Sequence, residues 1–321
     1  MVDEDRPLAR TRTREGPVVQ QHRDAGPPAG NRLRAATPSD VETGDRSAGH
    51  DHRPLDAGKH SVLGVLVDAL DYEAALGKVL RAARERRGFA LTALAVHGVM
   101  TGVHDRAHNA RLNALDVVAP DGQPVRWALT ILHGLRLPDW VSGPELVRRV
   151  LHRMSVEGLP VYLYGSTPQT LTRLTAVLTR SFPGLRIAGT EASRFRIARP
   201  GEEEAIAERI RRSGARLVLV GLGCPRQEAF VYALRPLLDL PLLAVGAAFD
   251  FHAGRLRPAP RWMQRSGLAW LWRLGQEPGR LWRRYLFFNM EYLLLLAAQK
   301  AGVWRPDPPL PADRVRGSIP I

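Results

Sequence analysis

Cysteine is nearly absent: Cys224 is the only one in 321 residues. An internal disulfide and a cysteine-rich metal centre are excluded, and this usage fits a reducing compartment. Long hydrophobic runs are missing too. The longest, over 285–298, is broken by Asn289 and Glu291, whereas a membrane helix needs roughly 20 apolar residues. No membrane span is therefore expected, which leaves contact with a membrane surface open. No apolar h-region of the kind a secretory signal carries opens the sequence. Lysine is scarce, so arginine supplies nearly all the positive charge behind a formal net +14. Arginine grips phosphate through paired hydrogen bonds, although a GC-rich coding sequence would enrich it as well.

Residues 1–58 lack aromatic side chains and hold few aliphatic ones. Such a segment buries too little apolar surface to offset its ordering entropy and is expected to be disordered. The remaining length suits one large domain or two small ones. Order is expected to begin with one apolar strand over 61–67. Helical and strand patterns then alternate: helix 71–87, strand 90–96, helix 104–115, strand 116–119, helices 124–133 and 144–156. Strand 161–164, helix 168–180, strand 185–188, helix 202–212, strand 217–220, helix 226–234 and strand 242–245 follow. These strands are apolar without polar alternation, which marks burial on both faces and a parallel sheet covered by helices. The expected fold is α/β, an open, doubly wound, mostly parallel sheet over 59–251.

Past Phe251 the composition shifts. Four tryptophans, Trp262, Trp270, Trp272 and Trp282, interleave with eight arginines between 255 and 284, against the lone acid Glu277. This predicts a helical, basic and aromatic appendage over 252–303, followed by a flexible tail over 304–321. Rings at a headgroup boundary beside arginines on phosphates suit an anionic membrane surface. A solvated basic face with core tryptophans is the plainer reading. Nucleic acid is set behind both, since no nucleic-acid-binding motif is present.

In open α/β sheets ligands sit beyond the carboxyl ends of the strands. Three loops there carry usable chemistry. Pro120-Asp121-Gly122 offers a carboxylate on a sharp turn, suited to a general base, although Asp-Gly is also an ordinary turn dipeptide. In Tyr164-Gly165-Ser166-Thr167-Pro168, Gly165 admits a ligand to the backbone and Ser166 or Thr167 can cap a helix whose free N–H groups favour an anion. An ordinary capped helix start reads the same way. Val220-Gly221-Leu222-Gly223-Cys224-Pro225-Arg226-Gln227-Glu228 places two glycines after a strand and two polar side chains inside the next helix. Gln227 and Glu228 can hydrogen-bond a uridine or sugar hydroxyls. The third glycine of a dinucleotide fingerprint and a P-loop lysine are both missing. His104 and His108 stand at i, i+4 without the glutamate of a zincin, so no metal site is expected.

These segments, in this order, resemble the WecG/TagA/CpsF family of bacterial glycosyltransferases. The resemblance also runs through Ser142-Gly143-Pro144-Glu145-Leu146, Val245-Gly246-Ala247-Ala248-Phe249-Asp250-Phe251 and Arg257-Pro258-Ala259-Pro260-Arg261-Trp262-Met263. It closes with Glu277-Pro278-Gly279-Arg280-Leu281 and Arg283-Arg284-Tyr285. It implies a Rossmann-like transferase using a UDP-sugar, often UDP-N-acetylmannosamine, and an acceptor sugar on a polyprenyl diphosphate. Cell-wall or surface polysaccharide is the implied product, and the cytoplasmic face of the plasma membrane the implied location. The family's base falls on Asp121 and its motif glutamine on Gln227. Gly122, Gly165, Ser166, Gly221, Gly223, Glu228 and Asp250 fall within the implied substrate set. Arg257, Arg273, Arg280, Arg283 and Arg284 are implied to meet diphosphate or membrane. Two segments depart from the family pattern: Val96-His97-Gly98 stands where Thr-x-Asn is common, and Asp139-Trp140-Val141 where arginine is usual. His97 is expected to stand in for the polar side chain that family members carry there, toward the substrate. Residues 59–251 contain no Asp-x-Asp pair, so transfer without a metal or other cofactor is expected. A nicotinamide-dependent oxidoreductase and a non-enzymatic basic membrane- or nucleic-acid-binding protein are the alternatives, and a homo-oligomer is left open.

Overall fold

The computed structural model describes residues 53–308, 310 and 319–321, without the side chains of 280, 283 and 284. Residues 1–52 of the segment expected to be disordered over 1–58, and half of the tail expected to be flexible over 304–321, lie outside the described residues. The described chain opens on a hairpin, β1 (Asp56–Val62) and β2 (Val65–Leu70). This corrects the single strand expected over 61–67, and β1 begins three residues inside the segment expected to be disordered over 1–58. Leu63 and Gly64 turn the chain with φ of 52° and 87°, the double positive φ of a tight hairpin turn.

The strands β3 (Phe89–Leu94), β4 (Val117–Pro120), β5 (Val161–Gly165), β6 (Ile187–Glu191), β7 (Leu217–Gly221) and β8 (Pro241–Ala244) form one sheet. Its order is β4-β3-β8-β7-β5-β6, and every pair is parallel. The expected α/β class holds. Alternate residues feed opposite faces. Ala90, Val118, Tyr164, Val220 and Leu242 enter one core with the hairpin, while Leu91, Val117, Leu163, Leu219 and Leu243 enter the other. A period of two with both faces apolar is why the strand sequences show no polar alternation.

The helices are α1 (Tyr72–Glu85), α2 (Val96–His104), α3 (Arg106–Asn113), α4 (Gln123–His133), α5 (Gly143–Val156) and α6 (Pro168–Ser181). Next come α7 (Glu202–Arg212), α8 (Arg226–Leu234), α9 (Ala248–His252), α10 (Arg261–Arg265), α11 (Ala269–Gln276) and α12 (Pro278–Lys300). Helices α1, α5, α6 and α9 cover one face; α2, α3, α4, α7, α8 and α12 cover the other. The helix expected over 104–115 is α3, which starts at Arg106 because Asp105 is extended and its side chain caps it by accepting from the His108 N–H at 3.0 Å; α2 before it has no counterpart in the sequence reading. Helix α2 starts at Val96, so β3 ends two residues earlier than expected.

The appendage packs on the sheet's helical layer. Leu281, Tyr292 and Leu296 are buried, and the Tyr292 hydroxyl donates to the Pro124 carbonyl at 3.1 Å. The opposite side of α12 leaves Leu286, Phe287, Met290, Leu293 and Leu294 exposed. Among the described residues no helix is long and apolar enough to cross a membrane. Within the tail expected to be flexible, Ile321 is buried and exchanges backbone hydrogen bonds with Arg196.

Candidate active site

Asp121 follows directly on β4, at the carboxyl end of the sheet, and its N–H donates to the Leu94 carbonyl at the end of β3. Gly122 turns away with φ of 87° into α4. The Gly143 N–H at the start of α5 lies 3.4 Å from Asp121 Oδ2. A Cβ on Gly143 would sit 3.5 Å from the Val245 carbonyl and 3.9 Å from that same oxygen, so the three groups are close neighbours. Asp121 keeps some solvent contact, but protein crowds its carboxyl on every side. Burial raises it from 3.8 to about 6, opposed by the Gly143 N–H and the charge of Arg273. A carboxylate of that basicity is ionised at neutral pH yet accepts a proton readily.

Arg273 comes from α11. It pairs with Glu277 at 2.8 Å, and its guanidinium stands 5.2 Å from the centre of the Phe251 ring. Its Nε is buried without a hydrogen-bond partner among the described residues. The appendage reaches Asp121 because α10 and α11 lie over the start of α4: Gln123 Nε2 donates to the Arg265 carbonyl, and Gly267 fits against the Trp127 ring. Of the other implied arginines, Arg257 is exposed, with its backbone held by Gln276 and Trp272. The side chains of Arg280, Arg283 and Arg284 lie outside the described residues.

The two glycine turns close on one another. A Cβ on Gly165 would meet the Gly221 backbone at 2.8 Å, and the Ser166 N–H donates to the Gly221 carbonyl at 2.9 Å. Ser166 has φ of 59°, and Thr167, not Ser166, caps α6. In the second turn Gln227 Oε1 accepts from the Gly223 N–H at 3.2 Å, while its Nε2 donates to Glu228 Oε1 at 2.8 Å. A Cβ on Gly246, after β8, would lie 3.1 Å from Gln227 Oε1. Asp121, Gly143, Val245, Gly246 and Gln227 therefore follow one another along the carboxyl edge of the sheet.

Glu228 does not meet the expectation of a substrate contact. It is fully buried and takes the Thr92 hydroxyl at 3.0 Å along with the Gln227 amide. It holds Gln227 in place. Burial pushes its carboxyl up, as burial and the neighbouring Glu228 push up the Cys224 thiol. His97 meets Thr101, 3.0 Å away, and the Phe288 ring of α12, 5.4 Å between centres, rather than Asp121. Asp250 in α9 lies 3.6 Å from Arg255, which also donates to Thr170 in α6. Sequence reading missed Thr92 and Gly143. A lone threonine inside the apolar run Phe89-Ala90-Leu91-Thr92-Ala93-Leu94 was the available signal.

An open parallel sheet that gathers a raised carboxylate, two glycine turns and a partly buried arginine at its strand ends has the arrangement of an α/β enzyme. The sequence profile of the glycosyl transferase WecG/TagA/CpsF family matches residues 60–306, and the chain belongs to that family. It is a glycosyltransferase of cell-surface polysaccharide synthesis. Family membership sets aside the oxidoreductase and non-enzymatic readings.

Proposed function

We propose that the chain moves a sugar, N-acetylmannosamine first among candidates, from a UDP-sugar to an acceptor sugar on a polyprenyl diphosphate, with inversion. The observation that carries this reading is Asp121, a carboxyl raised to about 6 at a strand end and facing the charge of Arg273. The acceptor hydroxyl attacks the anomeric carbon and gives its proton to Asp121. The bond to UDP breaks, and its electron pair leaves on the diphosphate. That developing charge meets Arg273, whose Nε–H has no other partner among the described residues, and the N-termini of α6 and α8. By family likeness, Arg257, Arg280, Arg283 and Arg284 are assigned to the acceptor's diphosphate. No step calls for a metal, because arginine takes the role a cation would have on the diphosphate. The exposed apolar side of α12 supports peripheral seating at the cytoplasmic face of the plasma membrane.

A panel of UDP-sugars assayed for UDP release, with and without a polyprenyl-diphosphate-linked sugar, tests the reading. Acceptor-dependent release from one donor in chelator-treated buffer is expected. Release from no donor, or release that requires added Mg²⁺ or Mn²⁺, would contradict it.

A further inference from the structure

Three side chains from separate elements converge behind the Gln227 turn. His108 from α3, Cys224 from the turn after β7 and Glu228 from α8 bring a ring nitrogen, Sγ and a carboxylate oxygen within 4.8 Å of one another. Glu228 spends Oε1 on Thr92 and Gln227, while its Oε2, also buried, has no hydrogen-bond partner among the described residues. His108 is 1% exposed, and neither of its ring nitrogens has one either. An imidazole carries a donor and an acceptor, or two donors, and burying both nitrogens unpaired is an expensive way to fill an apolar position. The adjacent inward residues of α3, Ala110 and Leu112, are plain hydrophobes. The transfer reaction described above uses neither His108 nor the free oxygen.

We propose that His108, Cys224 and Glu228 bind one zinc-like divalent cation. Imidazole nitrogen, thiolate sulfur and carboxylate oxygen are the borderline-soft donor set this cation selects, and a water completes four ligands. Zinc bonds of about 2.0–2.3 Å place tetrahedral ligand atoms about 3.3–3.8 Å apart. From separations within 4.8 Å, the cluster needs to contract by up to about 1–1.5 Å. Binding releases the thiol proton to solvent, since a coordinated thiol is deprotonated outright. The cation ties α3 to the turn whose Gly223 N–H holds Gln227. With Glu228 fully buried, it cannot serve the donor diphosphate, so the site stands or falls apart from the transfer mechanism.

The test uses the full chain, stripped with chelator and titrated first with Co²⁺ and then with Zn²⁺. One Co²⁺ per chain should bind with the near-ultraviolet charge-transfer band of a cobalt–thiolate bond, and stoichiometric Zn²⁺ should displace it. Cys224→Ser should abolish the band and weaken Zn²⁺ binding by roughly tenfold or more. His108→Leu, which puts an apolar side chain in the ring's place, should keep the band and weaken binding similarly. Zn²⁺ should raise the melting temperature of the unsubstituted chain and not of Cys224→Ser. Absence of the band, or a band that persists in Cys224→Ser, would overturn the proposal and leave a water-filled polar pocket in its place. Circular dichroism reports whether each variant folds. If His108→Leu does not fold, the Cys224→Ser result alone decides.

Discussion

Replacing Asp121 with Asn should make the protein more stable while disabling it. The carboxyl is raised from 3.8 to about 6, roughly two units, and one unit is about 1.4 kcal/mol. Ionised Asp121 therefore costs the native state up to about 3 kcal/mol. Because the residue keeps some solvent contact, about half of that, roughly 1.5 kcal/mol, is the working lower figure. Asparagine keeps the shape, offers its amide oxygen to the Gly143 N–H and carries no charge. A raised folded value means that stability is fully present below 3.8 and is lost as pH rises through about 6. The gap between Asn and Asp thus opens over that interval and is constant above it. Thermal melts of the full chain at about pH 7.5 should place Asp121→Asn above the parent by about 3–6 °C. At about pH 4.5 the gap should shrink to about a third of its plateau. A variant no more stable than the parent at the higher pH, or a gap of the same size at both, would refute this account of the Asp121 environment.

Arg273→Ala should lower kcat by roughly 10²–10³-fold with little effect on the melting temperature, as expected for loss of one charge-stabilising donor. Arg273→Lys should recover only part, because the charge returns without the fork; full activity in Arg273→Ala would remove it from the site. Gly165→Ala should cost at least about 1–3 kcal/mol in urea denaturation, since φ is 108° and the new Cβ would meet the Gly221 backbone at 2.8 Å. Phe287→Asp with Leu294→Asp should reduce co-sedimentation with anionic vesicles and leave the melting temperature unchanged, because both side chains are exposed. Undiminished sedimentation would show that α12 is not the membrane face.

The layered sheet was legible because burial on both faces writes itself as unbroken apolar strands; Asp121 was singled out by family likeness, since Pro120-Asp121-Gly122 alone reads equally as an ordinary turn. The hairpin was not. Val62-Leu63-Gly64-Val65 reads as continuous strand, and nothing in a leucine announces φ of 52°. The break between α2 and α3 depended on Asp105 acting as a cap, and α2 itself was not legible because its first residue reads as the end of the preceding strand. Glu228 shows another limit. Its neighbour Gln227 made it look like a second ligand contact, yet its environment is set by Thr92, 136 residues away. The encounter of His108 with Cys224 and Glu228 has the same origin: it exists only once α3 and α8 lie side by side on one face of the sheet. Arg273 was placed by family likeness. Its reach to Asp121 depends on Gln123 and Trp127 seating the α10–α11 segment, which no local pattern encodes.

The central claim, that Asp121 is the base of a sugar transfer, is tested most directly by steady-state UDP release with the preferred donor and a polyprenyl-diphosphate-linked acceptor, in the parent and in Asp121→Asn. The parent rate should rise with pH through about 6 and level off above it, following ionisation of the carboxyl. The folded Asn variant should turn over roughly 10²–10⁴-fold more slowly at the plateau. Parent-like turnover by Asp121→Asn would contradict the claim.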